Sequence, residues 1–510
     1  MRKLIFFLCS LAIACAHDSP VRSEVHNVAR TLATDVVDGT DASTWTEYRS
    51  THFVVDTDDS ADRAAHLIER LETLQVLDLK ALVGGGVDIP GTLRVVALAH
   101  DVEFRDLDGA DYAAWYLEEG RFGDPLIVLP MSLVDGAPET LAHELSHHLS
   151  RFLFPEQPAW FSEGLAEFTQ TLAGRPQAAP DPALGSHLVR SHLAARHSAG
   201  LIPDGLKKWD SSIAPIPVRK LFAWTGPEDR DVFGLFHASS WLLYHWLWNQ
   251  RGPQLSRFQK LLSDGEAPAA AWRKAFPEFD PDAPAASATL DELDATLDRY
   301  RRELRFVSWP LDGTGDGRFT ARPLPAADAK LILLDVRWKW PAAPAARKAL
   351  VEREMAEALR EDPRNPVAAM YPILQANPKP DLQQLRDVVA RAPEDWRGWL
   401  LLSRAAGDAE KEAALRRTVQ LNPDNASAQN DLAWLLAISN RAHEALPIAN
   451  RALDLAPWDA SAVDTLAEIA VRLGQCPQAL QLEARAMSMS AARADALQRQ
   501  AEVKRRCPQH

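Results

Sequence analysis

The sequence predicts two parts, an α+β domain followed by an all-α solenoid of helical repeats. Three observations carry this reading. Upstream of residue 140, short apolar runs bounded by Gly and Pro alternate with one amphipathic segment, an α+β order. Two strings then follow on helical spacing, His143-Glu144-Leu145-Ser146-His147 and Trp160-Phe161-Ser162-Glu163-Gly164-Leu165-Ala166-Glu167. Near the C-terminus, Leu421-Asn422-Pro423-Asp424 and Leu455-Ala456-Pro457-Trp458 lie 34 residues apart, the length of a two-helix repeat unit.

Met1-Arg2-Lys3 and the apolar run Leu4 to Ala14 read as a signal segment, too short to span a bilayer. The end of that run, Ala12-Ile13-Ala14-Cys15, resembles a bacterial lipobox, with Ala12 where leucine is usual. The resemblance implies lipidation at Cys15 and a periplasm-facing lipoprotein, at the outer membrane because Ala16 is not aspartate; plain secretion is the alternative. Residues 16–44 are polar and irregular and suit a tether.

The domain is expected over 45–306. Thr51 to Asp56 reads as a strand, and Ser60 can cap a helix carrying Ala64, Leu67, Ile68, Leu71 and Leu74. Thr92 to Ala99 and Pro125 to Pro130 read as further strands. Pro138 opens the next helix, whose stripe of Leu141, Leu145, Leu149 and Phe152 must be packed. Pro155 and Pro158 break it, and a second helix starts at Ala159. H-E-x-x-H on a helix sets two imidazoles one turn apart on one face, beside a carboxylate. Zinc takes nitrogen and oxygen ligands in a tetrahedron and, in catalytic sites, leaves one corner for water. Glu163, on the second helix, is the candidate third ligand.

Together, H-E-x-x-H and W-x-x-E-G-x-A-E resemble the gluzincin metallopeptidases, and most closely the bacterial peptidase MA-like domains. The resemblance implies a zincin-like fold and one Zn2+ per chain, held by His143, His147 and Glu163, with Glu144 as general base. In gluzincins the strand before the metal helix pairs with the substrate backbone, which would place substrate at Ala114, Trp115 and Tyr116; a loop packing on the core is the other reading. The run Val232 to Trp248 is similar to the helix whose tyrosine stabilises the oxyanion. Here that position holds His237, which either takes the role or is a core histidine. Glu167, one turn after Glu163, either holds a zinc-bound histidine in place or is a solvated acid. No exopeptidase signature is present, so the expected activity is endopeptidase cleavage of a peptide or protein substrate.

Leu290 to Leu304 reads as a helix completing the domain, and 307–345 as a connector. Within 346–510, Leu432, Ala433, Ala445, Ala449 and Ala452 share a phase with Leu466, Ala467, Ala479 and Ala486. These match the packing positions of tetratricopeptide repeats, and small alanines let helices approach closely. Such arrays bind a protein or peptide partner. With Cys9 and Cys15 assigned to the signal and the anchor, Cys476 and Cys507 remain as an even pair, expected to bridge in an oxidising compartment. A net charge of −14 and a pI near 5.6 exclude nucleic acid and basic membrane-surface binding, which leaves only the lipid anchor for the membrane. The competing class is a catalytically inactive periplasmic scaffold acting through its repeats.

Overall fold

The computed structural model describes residues 34–36, 45–101, 114–117, 122, 124–173, 198–200, 213–224, 230–284, 286–303, 309–338, 344–375, 380–489 and 496–508. The expected signal segment, Cys15 and most of the expected tether lie outside the described residues. No described helix is long and apolar enough to cross a membrane.

The strands are β1 (Thr34–Val36), β2 (Thr46–Arg49), β3 (Phe53–Thr57), β4 (Leu93–Leu98), β5 (Trp115–Leu117), β6 (Leu126–Pro130), β7 (Ser198–Ala199), β8 (Trp309–Pro310) and β9 (Phe319–Pro323). Seven form one mixed sheet in the order β1-β9-β2-β3-β4-β6-β5, and β7 pairs with β8. Strands β3, β4 and β6 run parallel. They are buried almost throughout because both of their faces are covered. On one face Phe53, Val55, Val95, Ala97, Ile127 and Leu129 meet two helices, α1 (Ala61–Val83) and α3 (Pro138–Leu153), through Leu67, Leu71, Leu141 and Leu145. On the other, Val96, Leu98, Leu126 and Val128 pack on Trp45, Trp115, Leu324, Ala329 and Val336. A short helix, α2 (Ser132–Gly136), precedes α3, and α4 (Ala159–Thr169) follows it. Ser60 stands at the N-cap of α1 without making a side-chain cap bond.

The region expected to be a connector is part of this sheet. Strand β9 pairs antiparallel with β2 and parallel with β1, and Arg322 grips Glu47 through two bonds of 2.8 and 2.9 Å. Strand β1 itself lies in the segment expected to be a tether. Further along the expected connector, Ala326–Trp338 is a helix. Pairing over such a separation leaves no local signal, because an antiparallel partner is set by the sheet edge left open and not by sequence distance.

After α4 come α5 (Val218–Phe222), α6 (Arg230–Gln250), α7 (Gly252–Ser263), α8 (Pro268–Ala275) and α9 (Ala286–Glu303), which share the core of the domain, and then α10 (Ala326–Trp338). The array comprises α11 (Pro344–Glu361), α12 (Pro366–Gln375), α13 (Leu382–Arg391), α14 (Trp396–Ala405), α15 (Asp408–Leu421), α16 (Ala426–Ile438), α17 (Ala442–Leu455), α18 (Ala460–Arg472), α19 (Cys476–Met489) and α20 (Ala496–Arg506). Helices α15, α17 and α19 begin 34 residues apart, so the C-terminal part is a tetratricopeptide-type array. Its first helices α14, α16 and α18 are each capped by the side chain before them, Asp395, Asn425 and Asp459. Ala428, Ala433, Ala445 and Ala449 are fully buried where paired helices meet.

The array closes back on the domain. Phe122, from the segment between β5 and β6, is buried in the core of the array and meets Trp396 edge-on at 5.6 Å. The buried Asn425 donates to the Phe122 carbonyl at 2.7 Å, and Phe152 on α3 meets Trp458 at 4.9 Å. At the far end Cys476 and Cys507 are disulfide-bonded across a separation of 31 residues. A loop of that length restricts the unfolded chain enough to stabilise the terminal unit by about 3–4 kcal/mol. Reduction is therefore expected to shift the denaturation midpoint of the array downward; equal midpoints for oxidised and reduced protein would contradict this.

Candidate metal centre

Helix α3 ends where the Phe154 N–H bonds to the Ser150 carbonyl, and α4 starts where the Pro158 carbonyl accepts from Phe161 and Ser162. Pro158 cannot donate into a preceding turn, so the chain reverses within a few residues. Buried Leu145 and Leu149 on α3, with Phe161, Leu165 and Phe168 on α4, press the two helices onto a common core. That packing directs His143, His147 and Glu163 to one point. His143 Nε2 is 3.1 Å from His147 Nε2, and Glu163 Oε2 is 3.3 and 3.5 Å from these two nitrogens.

The fit to a cation can be tested on these edges. Ligand bonds of about 2.0–2.1 Å at tetrahedral angles set neighbouring donor atoms about 3.3–3.4 Å apart. The observed triangle has that size. Glu163 Oε2 is also buried and, despite three imidazoles around it, makes no well-aligned hydrogen bond. Donors aimed at a shared centre rather than at one another behave this way. Burial would raise the Glu163 carboxyl, but the His147 and His237 imidazoles hold it well below the ordinary carboxylate range. Burial likewise disfavours charge on His147, yet Glu163 and Glu144 push its pKa up to about 9. Together these groups form a compact charged cluster.

The surrounding residues fall into place around this triangle. Glu144 is half-buried, beside His147, and is not among the converging donors. His147 Nδ1 is 3.1 Å from Ser162 Oγ, which holds the ring by its far nitrogen. Glu167 stands 3.8 Å from His143 Nδ1 and 3.2 Å from His237 Nδ1, and accepts from Gln170. It is a buried member of the cluster, not a solvated acid. His237 stacks on His143 at 5.6 Å and lies 3.3 Å from Glu163, while its Nε2 is buried without a partner. Burial opposes charge on His237, but Glu163 and Glu167 raise its pKa. A second set of convergent donors, His143, Glu167 and His237, overlaps the first. Tyr244 is fully buried, its hydroxyl accepting from Gln259 at 3.2 Å in the core.

Strand β5 is the last strand at one edge of the sheet. Of the residues expected to meet substrate there, Ala114 and Trp115 are buried, and Trp115 packs in the second core. Tyr116 is partly exposed, with its hydroxyl 3.4 Å from His148 Nδ1. Burial lowers the pKa of His148 to about 3, so its ring is neutral, a structural role.

Four contributors were not assigned a role from sequence. Ser162 occupies a variable place in its string. Asp78 and Thr169 meet Ser146 in a buried network beneath α3, at 2.9 Å for Asp78. Gly164 is the fourth, because a Cβ there would come within 2.5 Å of the Ser240 carbonyl. Ser240 therefore lies at a helix crossing, where α4 and α6 approach so closely that His237 reaches Glu163.

No family model matches the chain, and no curated protein matches it. Among solved structures it is similar to a thermophilic TPR protein of Thermus thermophilus, at 22% identity, covering 35% of this chain and 98% of that one, with a TM-score of 0.26. It is also similar to MamA, at 15% identity, covering 33% and 94%, with a TM-score of 0.25.

Proposed function

We propose that the chain is a zinc-dependent endopeptidase of the bacterial cell envelope, joined to a repeat array that binds polypeptide. The observation that carries this reading is the triangle of His143, His147 and Glu163, sized for a tetrahedral cation. Zinc held there would supply Lewis acidity and a water acidified toward neutrality. Glu144, near His147 but outside the ligand set, would serve as the general base and then the general acid. His237, with Nδ1 held by Glu167, has its Nε2 left to donate to a developing oxyanion. Glu167 and Ser162 keep His143, His147 and His237 from rotating.

A second reading is favoured by the array. Its helices close on the domain through Phe122, Asn425 and Trp458, as a scaffold would, and a scaffold needs no catalysis. Metal analysis separates the two. Purified soluble protein is expected to hold about one zinc per chain. His147→Ala and Glu163→Ala should each lose most of it, since a three-ligand site without one ligand binds far more weakly. Absence of zinc from protein refolded with excess metal would leave the scaffold reading standing.

A further inference from the structure

A cavity of about 1000 Å³ separates the domain from the array. That is the upper end of the size range of ligand pockets. On the domain side its wall includes Asp124, Pro125, His148 and Phe152, and on the array side Asn430 and Asp431. The cavity begins where β5 ends. Leu117 pairs with Leu126, which directly follows Asp124 and Pro125, and Tyr116 touches His148 with ring centroids 5.7 Å apart. The edge strand β5 and this cavity therefore lie at the same end of the sheet.

The lining selects the occupant. The wall arginines are already matched: Arg94 pairs with Asp56, Arg322 is held by its two bonds to Glu47, and Arg49 reaches the same carboxylate at 3.8 Å. His148 is neutral. Asp424 is met by Arg451 at 2.6 Å, and Asp124 accepts from Asn425. Asp431 has no direct hydrogen bond or ion pair among the described residues, Lys411 and Arg404 acting on it only as nearby charges, and the adjacent Asn430 Oδ1 is buried without a partner. A buried acceptor without a partner is costly until a donor arrives, and a carboxylate with no direct contact beside it favours a cationic one. The wall acids are not a metal site, because the convergent donor sets among the described residues all include His143. Anions are disfavoured by the same carboxylates.

We propose that this cavity binds an extended polypeptide segment, with a lysine or arginine side chain of that segment met by Asp431 and Asn430. Naming the segment as substrate rests on the peptidase reading; the binding itself does not. The test uses full-length protein carrying Glu144→Gln, with and without zinc, and reads fluorescence anisotropy of a labelled unstructured peptide containing lysine and arginine. Asp431→Asn and Asn430→Leu should each weaken binding by about ten-fold, as expected for losing a charge-assisted or buried hydrogen bond. The exposed control Glu394→Gln should leave binding unchanged, and a peptide with glutamate in place of the basic residues should bind at least about ten-fold more weakly. Unchanged affinity in both cavity variants, equal affinity for the acidic peptide, or displacement of the peptide by an equal concentration of spermidine would each overturn the proposal. Should the polar variants melt early, Ser427→Trp, which fills the space from the array side, decides: retained affinity counts against the cavity. Failure of the peptidase reading would show instead as missing zinc or as cleavage indifferent to Glu144, with peptide affinity intact.

Discussion

Glu144→Gln is expected to lower peptide hydrolysis by about 10²–10⁴-fold, the usual range for a lost general base, while the protein keeps its zinc and its melting temperature. Glutamine preserves the shape of the side chain but has no lone pair basic enough to take a proton from water. Glu144 lies outside the converging donors, so metal content should not change. It is half-buried rather than a member of the core, so folding should not change either. The measurement is cleavage of an unfolded protein by wild type and variant at matched zinc content. Equal rates would remove Glu144 from the mechanism. No cleavage by either, with zinc bound, would favour the scaffold.

Gly164→Ala is the second large effect. The added methyl would stand 2.5 Å from the Ser240 carbonyl and 2.9 Å from Tyr244 Cβ. The first of these is backbone within α6 and cannot swing aside as a flexible side chain could. Overpacking of this kind costs about 1–3 kcal/mol or more, read as a fall in the denaturant midpoint. Because α4 carries Glu163 and Glu167 while α6 carries His237, the same shift should loosen the cluster and weaken zinc binding more than an equally destabilising change far from it. A variant that is as stable as wild type and binds zinc equally would show that the helices can separate freely, and that this glycine has no such role.

How much of this was legible in the sequence differs element by element. The apolar stripe of α3, the proline break and the start of α4 at Ala159 are local features, and each lies within a residue or two of where it was expected. The phase of Ala433, Ala445 and Ala449 likewise reports its own packing, because a repeat restates the same contact. Strand β9 was not legible as part of the sheet, since its partner β2 lies far away in sequence and nothing in Phe319 to Pro323 names it. Ala114 and Trp115 show the limit for site residues. The strand does lie at the edge of the sheet, but Ala114 packs into the core on one side and Trp115 into the core on the other, so the layers covering both faces bury them.

Residue type and spacing alone determined which groups could serve as ligands: imidazoles at i and i+4 must share a helical face, and a proline-broken turn must bring the next helix alongside. Whether those groups meet is a matter of ångströms, and that was decided by packing. The missing Cβ at Gly164 lets α6 approach, Ser162 holds His147, and Glu167 sits between two histidines. The cavity between domain and array likewise exists only in three dimensions, because its two walls are separated in sequence and meet through Phe122, Asn425 and Trp458. Spacing along a helix is a property of the chain, whereas the distance between two elements is set by the side chains that fill the gap between them.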